Sequence, residues 1–484
     1  MEIHNEFLDL NYRYQYYLLE LVADHGDYYL TVNRAMKLLG LSKFKLSQYV
    51  ETVNADLAMM SPESYLRING DGIFESGHIS ESIVRKIRLD YLQQSNLFKM
   101  FEFSLLNPGK NETTDFCDAL FIGKTKFYEL RKEMVEVADH FNLQFKKNQL
   151  IGPEMQIHQF VFEIYYSYFN GIEKPLALFQ ETVDQMLVTM RDQFQINLLP
   201  TTITKLETYL KVQSLRLRGK NALTAPLLAP DFKTQQPQLW QPVLSMLTTN
   251  YQLLRIPLEV EAEGLLTFLF TESYVPLEID YLTPDLKNGV SQKTGQFVSK
   301  VEHVLMKDEA HSEQAQTILA NLAHDLDQIH AKHLTFYTEP TTFIDEQQLT
   351  YFAEANPLFH QIILTFTTKQ ETDLDWRKQA SLYYDYMFAC IEDIPLEILK
   401  DRVYICVDFS QGRLYNQYMK KTVNYFNNLN IEVQTTVDER TDLYLSDFYS
   451  STLTCEQLIW KNPPTILNWQ QFGDLVVAIK KGKL

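Results

Sequence analysis

The fold of the N-terminal region can be predicted from residues 31–57, TVNRAMKLLGLSKFKLSQYVETVNADL. Thr31 can cap a short helix that carries Met36 and Leu39 inward. Gly40 supplies a permissive turn, and Ser42 can cap a second helix. Apolar side chains recur along that second helix at the spacing of one buried face, and they are Leu46, Val50, Val53 and Leu57. The pattern predicts a helix-turn-helix.

The outward face of the second helix carries polar and basic side chains near its N-terminal end, where a recognition helix contacts DNA. These candidate DNA-binding residues are Lys43, Lys45, Ser47 and Gln48. No Asp or Glu occurs between Tyr28 and Val50, so the segment is a basic island. The following run SYLRINGDGIFE, residues 64–75, alternates around Asn69-Gly70 and predicts a hairpin that would be the wing of a winged helix.

A second copy of this pattern follows. An amphipathic helix is predicted from Glu81 to Gln94, and a later turn at 121–123 separates two more helices. The inward stripe of the last helix is Phe127, Leu130, Met134, Val137 and Phe141. Its candidate DNA-binding residues are Lys124, Thr125, Lys126, Tyr128, Arg131 and Lys132. Lys146 and Lys147 lie in a short candidate wing.

The rest of the chain changes character twice. Helical patterns with Pro-bearing breaks at 228–242 and 283–289 predict two helical bundles. Segments 402–409, 431–437, 441–447 and 474–482 are interpreted as strands and 412–430 as a helix, which predicts a small α/β domain with a parallel sheet. The chain is therefore expected to be multidomain and mainly α, with boundaries at 1–76, 77–170, 171–285, 286–395 and 396–484.

Composition excludes several classes of function. The chain has 484 residues, a net charge of −18 and four widely spaced cysteines, which argues against a disulfide framework or a structural metal site. Neither a basic-then-apolar leader nor an apolar run of about 20 residues is evident, so no membrane insertion and a cytoplasmic location are expected. No phosphate-binding, dinucleotide-binding or hydrolase motif appears, so neither an enzyme nor a cofactor is predicted.

The order of parts resembles the Mga/AtxA family of regulators from Gram-positive bacteria. The segment LFIGKTKFYELRK, residues 120–132, looks like the second helix-turn-helix of that family, with Gly123 where the family usually has a capping Ser. The resemblance implies tandem helix-turn-helix units, two phosphotransferase-system (PTS) regulation domains and a C-terminal domain similar to the sugar-transport component EIIB. It further implies a DNA-binding virulence or metabolic regulator that forms a homodimer and has a PTS phosphocarrier protein as a partner.

The regulation domains of this family are examined for a histidine that accepts a phosphoryl group. Residues 171–300 contain no His, so the first domain offers no such site. The second has His324, His330 and His333 as phosphorylation candidates, and we prefer His330 or His333 because an apolar run follows them. A purely structural role for these histidines is an equally open interpretation, and a metal site with Asp327 is disfavoured.

In an EIIB domain, a Cys at the end of the first strand carries the phosphate. Cys406 instead lies inside the apolar run RVYICVDF and is followed by Asp408, so we expect a buried structural thiol. Two alternatives to a DNA-binding regulator are a phosphoacceptor component of a sugar phosphotransferase system and an RNA-binding antiterminator. The tandem helix-turn-helix units favour double-stranded DNA over both.

Overall fold

The computed structural model of the chain describes residues 3–24, 30–110, 112–276, 278–305, 312–336, 346–370, 376–426, 429–461 and 463–483. The chain divides into two compact units, Met1–Pro276 and Leu277–Leu484. The first holds the helix-turn-helix elements and a helical bundle. The second holds another helical bundle and the α/β domain. The predicted fold class, multidomain and mainly α with a small parallel sheet, is confirmed.

The first unit opens with the predicted helix-turn-helix. Thr31 accepts a hydrogen bond from the Arg34 amide at 3.3 Å, and Ser42 accepts one from the Lys45 amide at 3.4 Å. Gly40 ends the shorter helix at φ +65°, so both predicted caps and the turn are confirmed. The elements are α1 (Leu10–Asp24), α2 (Val32–Leu39), α3 (Lys43–Met60), β1 (Tyr65–Ile68) and β2 (Phe74–Gly77).

One local prediction in this region was wrong, and another is confirmed. The side chains of α2 that are buried are Val32 and Ala35, whereas Met36 and Leu39 are only half-buried. The predicted hairpin forms between β1 and β2. It turns over residues 69–73, because the Asn69 side chain accepts hydrogen bonds from the amides of Asp71 and Ile73, both at 3.0 Å.

The second helix-turn-helix repeats the first at a constant offset. Its short helix and the first residue of its long helix lie 81 positions after those of the first unit, since 113 − 32, 120 − 39 and 124 − 43 all equal 81. The elements are α4 (Glu81–Gln94), α5 (Asn96–Leu106), α6 (Thr113–Leu120), α7 (Lys124–His140), β3 (Gln144–Lys146) and β4 (Gln149–Ile151). The two turns differ in chemistry, since Phe121 replaces Gly40 at φ +53° and Gly123 replaces the capping Ser42.

A helical bundle completes the first unit. Buried acids of its last helix hold the loop at 219–231, because Glu261 accepts the Leu223 amide at 2.7 Å and Glu263 accepts the Leu227 amide at 3.0 Å. The expected break at 228–242 was too long, since Pro242 lies inside a helix. The helices are α8 (Glu154–Phe169), α9 (Gln180–Phe194), α10 (Pro200–Arg218), α11 (Phe232–Gln235), α12 (Pro237–Tyr251) and α13 (Glu259–Thr271).

The second unit begins with another bundle. Its core is formed by apolar side chains from several helices, among them Phe297, Leu322, Ile363 and Met387. The expected break at 283–289 was wrong, because Pro284 begins a long helix that runs through Gly289, and proline is well tolerated in a first helical turn. The helices are α14 (Pro284–Leu305), α15 (Ser312–Thr335), α16 (Glu346–Ala355), α17 (Pro357–Gln370) and α18 (Trp376–Asp393).

The C-terminal domain has an all-parallel sheet of order β6-β5-β7-β8. Its elements are β5 (Val403–Asp408), α19 (Arg413–Asn424), β6 (Ile431–Gln434), β7 (Leu443–Ser446), β8 (Glu456–Ile459) and α20 (Ile466–Gly482). The strand expected at 474–482 was wrong, because this segment belongs to α20. Its buried positions Phe472, Val476 and Lys480 recur every four residues, which is the period of a helix.

A buried lysine joins this α/β domain to the second bundle through a hydrogen bond. Lys480 is 1% exposed, and its ammonium donates to the carbonyl oxygen of Ala355, at the end of α16, at 2.6 Å. The same ammonium lies 3.3 Å from a carboxylate oxygen of Asp401, which is also 1% exposed and accepts from Asn430. Burial lowers the pKa of Lys480, and the attraction of Asp401 opposes that shift.

Candidate nucleic-acid interface

The N-terminal end of α3 presents the predicted basic residues to solvent. Lys43, Lys45 and Gln48 are exposed, and Ser47 is half-buried. Neither lysine forms an ion pair with any carboxylate that the structure describes, and the Lys45 ammonium lies 5.6 Å from the centroid of the Tyr49 ring. Both ammonium groups are therefore available for phosphate contacts, which provide most of the affinity of a protein for nucleic acid.

Tertiary contacts fix the position of α3. The hydroxyl of Tyr49 donates to the side-chain oxygen of Asn11 in α1 at 2.9 Å. On the wing side, the side-chain oxygen of Asn54 accepts the amide of Leu66 in β1 at 2.9 Å. The wing is also tied to the chain before α2, since the amide of Phe74 donates to the carbonyl of Leu30. The recognition helix and its wing therefore form one rigid element.

In α7, unlike α3, some of the predicted DNA-binding lysines form ion pairs within the helix. Lys124, Thr125 and Tyr128 are exposed. Two other lysines pair within the helix: Lys126 lies 3.6 Å from a Glu129 oxygen, and Lys132 lies 3.7 Å from a Glu136 oxygen. Exposed pairs of this kind contribute little stability. A DNA phosphate can replace the carboxylate, but each replacement leaves an acid close to the backbone of the DNA.

Lys126 also lines an acidic cavity of about 560 Å³ between α7 and the N-terminal segment. Burial raises the pKa of Glu133 in this cavity, Lys126 opposes the shift, and Asp9 adds to it. The carboxylates that line the cavity are Glu6, Asp9, Glu133 and Glu136. Lys126 thus offsets acidic charge at this surface cavity, and this makes it a weaker candidate for a DNA contact than Lys124.

Arg131 holds the second wing. It is half-buried, and its Nε donates to the side-chain oxygen of Asn148 at 3.2 Å. Lys147 and Asn148 both have positive φ, at +50° and +57°, which is the backbone of a tight two-residue hairpin turn. Arg131 therefore positions a wing whose two lysines, Lys146 and Lys147, are exposed. A single sequence gave no signal for this contact.

The arrangement of α4 to α7 with the β3–β4 wing has a counterpart among known protein families. Residues 80–165 match the Mga helix-turn-helix domain. The matched range includes every element from α4 through β4 and most of α8. The resemblance to the Mga/AtxA regulators, stated above from residues 120–132, is confirmed over this range. The chain has no significant match among curated proteins.

An Mga helix-turn-helix domain supports a DNA-binding transcriptional regulator as the coarse function of the chain. Among the residues that the structure describes, no helix is long and apolar enough to cross a membrane. The first helix-turn-helix lies outside the matched range, yet it has the same order of elements as the Mga domain. The candidate interface therefore comprises the N-terminal ends of α3 and α7 and the two wings.

The histidines outside the Mga domain do not form a common site. His330 is 1% exposed, with Nδ1 2.9 Å from the Thr294 hydroxyl and Nε2 2.8 Å from the Tyr386 hydroxyl. The Thr294 hydroxyl donates to Asp327 at 2.7 Å, so Nδ1 carries the ring hydrogen and Nε2 accepts from Tyr386. Burial lowers the pKa of His330 to about 3, and both ring nitrogens are occupied.

The other two candidates differ in accessibility. His333 has a side chain 9% exposed, with Nε2 3.0 Å from an Asp385 oxygen, whereas His324 is exposed. Within the described ranges, no group of three or more His, Cys, Asp or Glu side chains is arranged to hold a metal ion. For attack by an external phosphodonor, accessibility favours His324 over His330 and His333.

In the C-terminal domain, a carboxylate accepts the hydrogen bonds of the loop after β5. Cys406 is 3% exposed inside β5, and burial raises the pKa of its thiol. In the loop after β5, Ser410 donates its amide and its hydroxyl to the two carboxylate oxygens of Asp447, at 2.8 and 2.6 Å. These donors are therefore already used, and the negative charge of Asp447 would repel a phosphate.

Proposed function

We propose that the chain is a cytoplasmic transcription regulator that binds double-stranded DNA through both helix-turn-helix units. The observation that carries this proposal is the match of residues 80–165 to the Mga domain, together with the repeat of the same elements 81 residues earlier. Each recognition helix begins with a lysine that no described carboxylate pairs, Lys43 in one and Lys124 in the other. Both lysines lie where helix-turn-helix proteins contact the major groove.

We propose further that the protein acts as a homodimer. Support comes from exposed apolar side chains along α19 and the residue that follows it, since Leu414, Tyr418 and Tyr425 are 73%, 59% and 81% exposed. Tyr425 keeps helical backbone angles, so spacings of four and seven residues place the three side chains on one face. Exposed apolar side chains grouped on one face are typical of a protein–protein interface. Pairing of two chains would also place two copies of each recognition helix on one DNA site.

Coupling to sugar transport would act through the second bundle. A phosphoryl group from a phosphocarrier protein would add nearly two negative charges to an acidic chain, and His324 is the most accessible of the three candidate acceptors. Incubation with the phosphocarrier system followed by mapping of acid-labile phosphate tests this. We expect label on a histidine within 286–395 and its loss in His324→Ala. Label outside this range would contradict the assignment, and absence of label would favour a structural role for the histidines.

The alternatives have less support. A phosphoacceptor of sugar transport needs a reactive thiolate and a vacant anion-binding loop, and Cys406 and Asp447 provide neither. An RNA-binding antiterminator has no use for two winged helix-turn-helix units, because the deep, narrow major groove of A-form RNA does not admit a recognition helix. A catalytic role has no candidate residues in this interpretation.

A binding measurement on a pool of random duplex DNA and on single-stranded RNA, each over a salt series, tests the proposed function. We expect tighter binding to the duplex and a linear fall of log K with log salt, because lysine–phosphate contacts release counterions. A variant with six alanine substitutions should have a lower affinity for the duplex and a smaller slope of log K against log salt. The residues replaced are Lys43, Lys45, Gln48, Lys124, Lys126 and Arg131. Unchanged affinity and slope in this variant would contradict the proposal.

Sedimentation at micromolar concentration tests the homodimer. We expect a species of twice the chain mass of 56.8 kDa, and its dissociation when Tyr418 and Tyr425 are replaced by Ser. The matched control is Met59→Ser, which removes a side chain of similar exposure, 78%, from a helix of the other unit. A single species of chain mass, with and without DNA, would count against the dimer.

A further inference from the structure

Phe44 is an unusual side chain for the surface of a recognition helix. It is 79% exposed in the first turn of α3 and stands between Lys43 and Lys45. Leu46, two residues later, is fully buried, and two residues of an α-helix turn through about 200°. The ring of Phe44 therefore faces away from the protein core, at the end of the helix that would enter a DNA groove.

The second helix-turn-helix has a side chain with a methyl group at the same position. At the offset of 81 residues, Phe44 corresponds to Thr125, which is exposed and stands between Lys124 and Lys126. Thr125 also precedes a buried residue by two positions, since Phe127 is 1% exposed. Both units thus present a lysine, an outward apolar group and a second lysine. A phenyl ring and a threonine methyl are side-chain groups that contact the C5-methyl of thymine in the major groove.

We infer that Phe44 and Thr125 are specificity-determining residues that each contact a thymine methyl group. The inference rests on the proposed function and adds a ligand class to it, namely duplex DNA with thymine at one defined position for each helix-turn-helix unit. Lys43 and Lys124 supply attraction to phosphates, which is independent of sequence. Phe44 and Thr125 supply a contact that only one of the four bases offers in the major groove.

Replacement of thymine by uracil in the DNA tests the inference, because it removes the methyl group and keeps the base pair. The full-length protein is first used to select duplexes from a random pool. Duplexes in which one thymine is replaced by uracil are then titrated at one fixed salt concentration. The proteins used are the wild type and the variants Phe44→Ala, Thr125→Ser and Met59→Ala. The last is the matched control, since Met59 is 78% exposed at the opposite end of α3.

We expect two positions in each half-site, one for each chain of the proposed dimer, at which dU weakens wild-type binding about fourfold, the factor that burial of one methyl group provides. The effect at one of these positions should vanish in Phe44→Ala and the effect at the other in Thr125→Ser. Both effects should persist in Met59→Ala.

Duplex binding that is insensitive to dU at every position would overturn this inference and leave the proposed function intact. So would dU effects that persist in both Phe44→Ala and Thr125→Ser. Failure to select or bind any duplex would overturn the proposed function, and the inference with it.

Discussion

The two helix-turn-helix units share their order of elements and the spacing of their short helices, but they use charge differently. In α3, Lys43 and Lys45 have no carboxylate partner among the described residues. In α7, Lys126 and Lys132 pair with acids one turn away, and Arg131 holds the wing. The same backbone frame thus carries an open basic surface in one copy and a largely neutralised one in the other.

The family match therefore does not mark the recognition helix that has more unpaired lysines. Residues 80–165 carry the match, whereas α3 of the earlier copy has two lysines without a described carboxylate partner and α7 has one, Lys124. A basic residue on a recognition helix is therefore a poor guide to DNA contact until its intramolecular partners are known. Four pairs of substitutions distinguish the two helix-turn-helix units, with effects that decrease from DNA affinity to helix capping.

The largest effect is expected on DNA affinity. Lys43→Ala with Lys45→Ala should weaken duplex binding by roughly tenfold or more at low salt and reduce the slope of log K against log salt by about two. Lys126→Ala with Lys132→Ala should reduce the slope by less than one, because each lysine already has a carboxylate partner. Fluorescence anisotropy over a salt series measures both, and equal slope changes would remove the distinction between the units.

The second test concerns the wings. Asn54→Ala should lower the free energy of unfolding of the first unit by about 1–2 kcal/mol, because the amide of the buried Leu66 loses its acceptor. Arg131→Ala should cost about 1 kcal/mol, since its bond to Asn148 is long and partly exposed. Chemical denaturation measures both changes.

Arg131→Lys separates positioning from phosphate contact. A lysine keeps the charge but lacks the guanidinium Nε that bonds Asn148. If Arg131 positions the wing, Arg131→Lys should be as destabilised as Arg131→Ala and keep the wild-type salt slope. Rescue of DNA affinity and stability by lysine would show instead that Arg131 acts through its charge.

The third pair exchanges the residues at the turns. Gly40→Ala should lower stability by about 1 kcal/mol, because the Cβ is disfavoured at φ +65°. Phe121→Gly should raise stability by roughly 0.5 kcal/mol, since Phe121 adopts φ +53° while its ring is 94% exposed and loses little packing. Thermal unfolding measures both, and destabilisation by Phe121→Gly would indicate that the ring has a contact partner.

The smallest effects are expected at the helix caps. Gly123→Ser should stabilise α7 by a few tenths of a kcal/mol, because Gly123 already has the extended backbone of a cap at φ −78° and a Cβ there meets no heavy atom within 4 Å. Ser42→Gly should destabilise α3 by a similar amount. Hydrogen exchange of the first-turn amides measures each change, and opposite signs are required.

Features set by neighbouring residues could be predicted from the sequence. The helix Glu81–Gln94 was predicted at its observed bounds, and the caps at Thr31 and Ser42 form as expected. These elements depend on contacts within one or two turns, such as an amide and a hydroxyl three residues apart. The buried stripe of α7 followed equally from its period, with Phe127 through Val137 inward.

Features that depend on tertiary contacts could not be predicted. Nothing in the order of residues shows that Arg131 bonds Asn148 or that Lys126 lines an acidic cavity. The segment 474–482 was interpreted as a strand from its apolar run. Its helical period includes the buried Lys480, whose burial depends on an acidic partner about 80 residues away in the chain. The outward position of Phe44 follows from a comparison of the two helix-turn-helix units, because both recognition helices begin with two lysines that flank one residue. The first unit alone does not distinguish Phe44 from a buried side chain.

The bridge made by Lys480 has a consequence for how such chains can be recombined. Lys480 and its carboxylate partner Asp401 belong to the C-terminal domain, whereas the carbonyl of Ala355 belongs to the bundle. A C-terminal domain transplanted from a relative without this lysine, or a bundle expressed without the C-terminal helix, would leave the Ala355 carbonyl without its donor. Residues 277–484 are therefore expected to be exchanged, lost and engineered as a single module.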